Sequence, residues 1–119
     1  TCALPIYIPP PNLTPQPGRI KVGGSWRCVM SGELSGFDAI DIAQLPDGRI
    51  DAFVTAGYDK NHPVKGAVVG DELHFYFPKY SAAGGRMKIE SSQRSMSGDG
   101  ASFQDDGRCT HWRFSCTKQ

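Results

Sequence analysis

Four cysteines, three histidines and a scatter of aspartates are the residues through which this chain could do chemistry. The cysteines are Cys2, Cys28, Cys109 and Cys116, and no Cys-x-x-Cys pair occurs among them. A zinc ribbon or a thioredoxin-type redox site is therefore not expected. His62 lies in a polar loop, Tyr58-Asp59-Lys60-Asn61-His62-Pro63. His74 and His111 fall on the outward phase of two strands that are not neighbours in a simple meander. No His-x-His or His-x-x-x-His spacing appears, so neither a metal nor any other cofactor is expected. Asp38, Asp41, Asp47 and Asp51 surround Pro46-Asp47-Gly48. Two of them facing into a cleft would make an acid–base pair, but Asp-Gly in a turn needs no chemistry to explain it. Asp99-Gly100 and Asp105-Asp106-Gly107 make one loop acidic, without the spacing of an EF-hand. Gly-x-Ser-x-Gly is absent, and Ser97-Gly98-Asp99-Gly100 is not a nucleophile elbow. Gly23-Gly24 and Gly84-Gly85 are too short for a phosphate loop.

The elements that must position these residues follow from length and pattern. A chain of 119 residues supports one core. Its net charge of +1, with 21 % charged residues, gives no basic face for nucleic acid and no polybasic membrane anchor. No apolar run reaches the roughly 20 residues that span a bilayer. Four cysteines in a short chain with 14 glycines point to disulfides and an oxidising, extracytoplasmic compartment, and permit three pairings.

The first six residues, Thr1-Cys2-Ala3-Leu4-Pro5-Ile6, resemble the translated adapter of a metagenomic sequencing library. On that reading the native chain continues upstream, with room for a further domain or a signal peptide, and Cys2 is foreign. Residues 7–18 hold five prolines and favour an extended polyproline arm or linker. The arm is placed at 1–22 and the folded domain at 23–119.

From Gly23 onward short strands alternate with turn signals. Strands are expected at 25–30, 37–45, 50–56, 64–69, 72–77, 86–91, 94–97 and 110–117. Pro46-Asp47-Gly48-Arg49 and Gly70-Asp71 mark tight hairpins. Residues 78–85 and 98–108 are expected as loops. No window carries a capped helical pattern. The fold class is all-β: an eight-stranded antiparallel up-and-down β-barrel with a Pro-rich N-terminal arm, since closure removes the exposed edges of a meander.

Alternation predicts an apolar interior of Trp26, Met30, Ile40, Ile42, Ile50, Val54, Val68, Leu73, Phe75, Phe77, Met87, Ile89, Met96, Trp112 and Phe114, with no charged residue inside. Phe53 and Val69 fall out of phase; they either pack outside the barrel or mark a bulge. Cys28 and Cys116 share the inward phase of the first and last strands, so Cys28–Cys116 is the expected bridge across the seam. Cys109 and Cys116 cannot pair along one strand, because seven residues at about 3.3 Å each far exceed disulfide reach. Cys2–Cys109 is a second pair if Cys2 is native; otherwise Cys109 stands free.

Gly24-x-Trp26 opening the first strand, the repeated hairpins and Trp112 on the last strand resemble the calycin-type barrels, the lipocalins and avidins. In those an early Gly-x-Trp packs across the barrel floor. The resemblance implies an eight-stranded barrel, with Trp26, Phe75, Phe77 and Trp112 as the residues that would line a small-ligand site. Three functions are then open. The first is a non-catalytic secreted or envelope binding module, with a protein partner or a small apolar ligand. The second is a protein inhibitor of a hydrolase, acting through a loop or the arm. The third, ranked last, is a small barrel enzyme using Asp or His at one mouth. The four large aromatic residues favour a filled interior and a partner on the loops or outer face.

Overall fold

The computed structural model describes residues 20–80, 82–103 and 108–119. They form eight strands: β1 (Gly24–Gly32), β2 (Gly36–Gln44), β3 (Arg49–Gly57), β4 (Pro63–Val69), β5 (Glu72–Tyr76), β6 (Ala83–Ile89), β7 (Ser95–Phe103) and β8 (Cys109–Lys118). Each pairs antiparallel with the next, and β8 returns to β1, giving a closed barrel in chain order. No helix among the described residues is long and apolar enough to cross a membrane. Residues 1–19 of the expected Pro-rich arm lie outside the described residues.

The alternating pattern is what closes the barrel. Burial alternates along β1 so that Trp26, Cys28 and Met30 face in, and along β8 so that Trp112, Phe114 and Cys116 do. At the seam Met30 lies opposite Phe114 and Cys28 opposite Cys116. The Cys28–Cys116 disulfide spans this pair and joins residues 88 apart in the chain. Cys109 is not free either; its expected partner, Cys2, lies outside the described residues.

Every residue expected inside is buried, and Val22, Ala52, Val64 and Ala83 join them. Phe53 does point outward, 44 % exposed. A bulge also lies nearby. Ile40 pairs with Val54 but Ala39 pairs with Ala56, which leaves Thr55 as an extra residue on β3. The Thr55 hydroxyl donates to the Ala39 carbonyl at 3.2 Å.

Parts of two expected loops, residues 83–85 and 98–103, are in fact strand. β6 begins at Ala83 and β7 runs on to Phe103. The glycines that read as loop punctuation stand where neighbouring backbones come too close for a side chain. A Cβ on Gly85 would lie 2.1 Å from the Asp99 carbonyl oxygen, and one on Gly98 would lie 2.1 Å from that of Arg86. Gly100 is flat for another reason: the Trp112 indole covers it, and a Cβ there would meet Nε1 at 2.6 Å.

The two ends of the barrel are built differently. The turns at 45–48, 70–71 and 90–94 share one end with residues 20–23. Here Val22 is fully buried and amides tie the chain down. The Val22 N–H donates to Gln44 Oε1 at 2.6 Å, Gln44 Nε2 donates to the Ile20 carbonyl at 2.9 Å, and the Lys21 N–H donates to Gln93 Oε1 at 2.9 Å. Trp26 Nε1 donates to the Val22 carbonyl at 2.8 Å, which seats the indole across this floor. The turn at 33–35, the loop at 58–62, residues 77–80, the end of β7 and the start of β8 share the opposite end.

Candidate functional site

The expected ligand-lining residues are all inside. Phe75, Phe77, Phe114 and Trp112 form an edge-to-face chain, with ring centroids 6.1 Å (Phe75–Phe77), 5.6 Å (Phe75–Phe114) and 5.9 Å (Trp112–Phe114) apart. Trp26 lies apart from this chain, on the floor. The space left between the inward side chains is about 20 Å³ and has an apolar lining that includes Ile40, Phe75, Phe77 and Phe114. That is on the order of one water molecule.

Polar chemistry gathers instead at the end opposite the floor, and it corrects the expectation that no charged residue is inside. Asp38 is fully buried and Asp59 nearly so. Asp38 follows the inward phase of Ile40 and Ile42 along β2. The bulge at Thr55 shifts the phase of β3 so that Gly57 comes opposite Asp38. Gly57 has φ 108°, and a Cβ there would stand 2.0 Å from the Phe37 carbonyl oxygen; only glycine lets the chain turn so close. The following residues fold onto β2. The Tyr58 N–H donates to the Phe37 carbonyl at 2.9 Å, and the Asp59 N–H donates to Asp38 Oδ1 at 2.8 Å. From the β5–β6 loop, the Tyr80 hydroxyl donates to Asp59 Oδ1 at 2.7 Å. His62 stacks on the Tyr80 ring with centroids 4.6 Å apart, and Tyr80 in turn leans on Phe77 at 5.5 Å.

The electrostatics follow from burial. Loss of water pushes the Asp38 carboxyl up to about 8, and the neighbouring Asp59 carboxyl adds to this through a shared hydrogen bond and repulsion. The N–H groups of Asp59 and Tyr58 pull the other way, by less. At neutral pH Asp38 is thus a carboxylic acid beside a second carboxyl group. Burial, then the Asp59 carboxyl that its hydroxyl faces, raises the Tyr80 phenol above its ordinary range. Asp38 Oδ2 and Trp112 Nε1 are buried without a hydrogen-bond partner among the described residues.

The other sequence candidates are dispersed. Asp41 accepts from the Ser25 hydroxyl at 2.7 Å, Asp47 pairs with Arg49 at 2.9 Å inside its hairpin, and Asp51 pairs with Lys65. His74 lies on β5, 3.0 Å from Glu72 Oε1. His111 lies on β8, where its backbone exchanges hydrogen bonds with Glu33. Among the described residues no group of three or more His, Cys, Asp or Glu could hold a metal ion. Parity along β2 would have found Asp38 in the sequence. Asp59 and Tyr80 sit in loops and carry no such signal.

No protein-family model matches the chain, and no curated protein matches it. A solved structure titled as a redesigned beta barrel is similar to it, with a TM-score of 0.57 and 16 % sequence identity, over 82 % of this chain and 91 % of that one. At that identity the likeness shows the barrel fold alone.

Proposed function

We propose that this chain is a non-catalytic binding module of an oxidising, extracytoplasmic compartment, and that its partner meets the outer face or the loops rather than the interior. The observation that carries this is the interior itself. About 20 Å³ of space remains inside, whereas pockets that hold small molecules run to roughly 300 Å³ or more. The cross-strand disulfide supports the compartment, because such bonds persist where thiols are not kept reduced. The kinship with calycin-type barrels belongs to the same proposal. Its support is Trp26 at the floor, with its indole N–H held by the Val22 carbonyl. Exposed Tyr58, at 57 %, and Phe53, at 44 %, offer apolar contact on the loop end and on the outer wall.

Native mass spectrometry of the oxidised protein with palmitate and with retinol tests the interior. The expected result is no stoichiometric complex with either and no quenching of the Trp26 and Trp112 fluorescence. A one-to-one complex that quenches both tryptophans would replace this proposal with a ligand-carrying barrel.

A further inference from the structure

The carboxyl pair joins three separate pieces of chain. Asp38 belongs to β2, Asp59 to the β3–β4 loop and Tyr80 to the β5–β6 loop. The Asp59 N–H and the Tyr80 hydroxyl make the side-chain bonds that hold these pieces together. Beneath Tyr80 lies Phe77, buried and part of the aromatic core. We infer that Asp38, Asp59 and Tyr80 form a proton-operated latch, which holds both loops down over this end of the barrel and releases them when Asp38 loses its proton. This does not depend on what the barrel binds.

The groups around Asp38 leave it no cation to turn to. From β1 the residue opposite is Cys28, tied in its disulfide, and from β3 it is Gly57. The β3–β4 loop contributes Tyr58, Asp59 and His62, and the β5–β6 loop contributes Tyr80. Lys60 and Lys79 in these loops are exposed. Among the described residues no lysine or arginine forms an ion pair with Asp38 or Asp59. With Asp38 protonated, no charge repulsion acts between the two buried carboxyl groups, and Asp38 Oδ1 still accepts from the Asp59 N–H. Once the proton leaves, a carboxylate is left out of water beside a second carboxyl group with no cation to offset it, an arrangement that a poorly solvated site disfavours. The loop that carries Asp59 is the piece that gives way, against its backbone bonds to Phe37 and Val54, because Asp38 is held within the β2 ladders. Its departure removes the acceptor of Tyr80 and uncovers Phe77.

Hydrogen exchange on the full oxidised chain, at about pH 6.5 and about pH 9.5 and corrected for intrinsic rate, tests the latch by the local opening it reports. The expected result is a gain of about tenfold or more in opening of peptides covering 57–62 and 77–82, as for loss of one hydrogen bond to a charged group. Peptides covering 45–48 and 90–94, at the opposite end, should not change. In Asp38→Asn, which keeps a donor in place and cannot ionise, the two loops should exchange alike at both pH values. A pH response in the variant equal to that of the parent, or a change shared by both ends, would overturn the inference. Carboxyl carbon NMR of the unsubstituted protein decides the matter even if the variant does not fold. A midpoint for Asp38 near 8 is expected, and one in the ordinary carboxylate range would overturn it.

Discussion

Removing the seam disulfide is the sharpest test of how this barrel is held closed. The perturbation is the double variant Cys28→Ala, Cys116→Ala, chosen because either single change leaves a buried thiol at the seam. The bridge joins residues 88 apart. In the chain-entropy form, releasing a loop of that length frees about 15 cal/mol/K in the unfolded chain, or about 4.6 kcal/mol at room temperature. For a barrel of this size, that corresponds to a fall in Tm of about 20 °C. Chemical reduction is not an equivalent experiment, since Cys109 is not free either and its bond would be lost too. Guanidinium unfolding of the parent and the double variant, both oxidised and followed by tryptophan fluorescence, gives the difference. The m-value should rise in the variant, because the released denatured chain exposes more surface. A loss below about 1 kcal/mol with an unchanged m-value would refute the reasoning. It would mean that the β1–β8 ladder and the packing of Met30 against Phe114 close the barrel unaided.

Three further outcomes follow from the same structure. Trp112→Ala should cost about 3–5 kcal/mol by denaturant unfolding, because it empties the space over Gly100 and breaks the edge-to-face contact with Phe114. Gly85→Ala should cost roughly 1–3 kcal/mol or more, since its Cβ would meet a strand carbonyl that cannot swing aside, and thermal unfolding reads this directly. Stability should fall as pH rises. The folded state holds the Asp38 proton from the ordinary value of 3.8 up to about 8, so its contribution is fully present below that window and lost across it. The slope is about 1.4 kcal/mol per pH unit where Asp38 alone titrates, and Asp38→Asn should flatten it in unfolding curves taken at a series of pH values.

Most of the fold was legible because the barrel is an arithmetic object. Trp26, Cys28 and Met30 on one strand and Trp112, Phe114 and Cys116 on another share a period of two, and that phase alone places the seam and its disulfide. The second half of β7 was hidden because Gly98, Asp99 and Gly100 carry the composition of a turn. What makes them strand is a neighbour's backbone and the face of Trp112, contacts made across the barrel wall and invisible along the chain. The polar end was half legible. Asp38 keeps the parity of Ile40 and Ile42, and only the assumption that aspartates near a hairpin belong to its turn obscured it. Asp59 and Tyr80 reach it through loops, by way of one extra residue at Thr55, and no local pattern encodes such a meeting.

The amide-tied floor has a consequence of its own. Its ties come from Gln44, Gln93, the Trp26 indole and main-chain groups, and none of these gains or loses a proton in ordinary solution. The far end is fastened by two carboxyl groups and a phenol. The bonds that fasten residues 20–22 to the floor are therefore indifferent to acidity, whereas the fastening of the far end includes groups that are not. A surface or partner that altered local acidity would leave the seating of Trp26 and of residues 20–22 unchanged, and that floor would serve as a fixed mount.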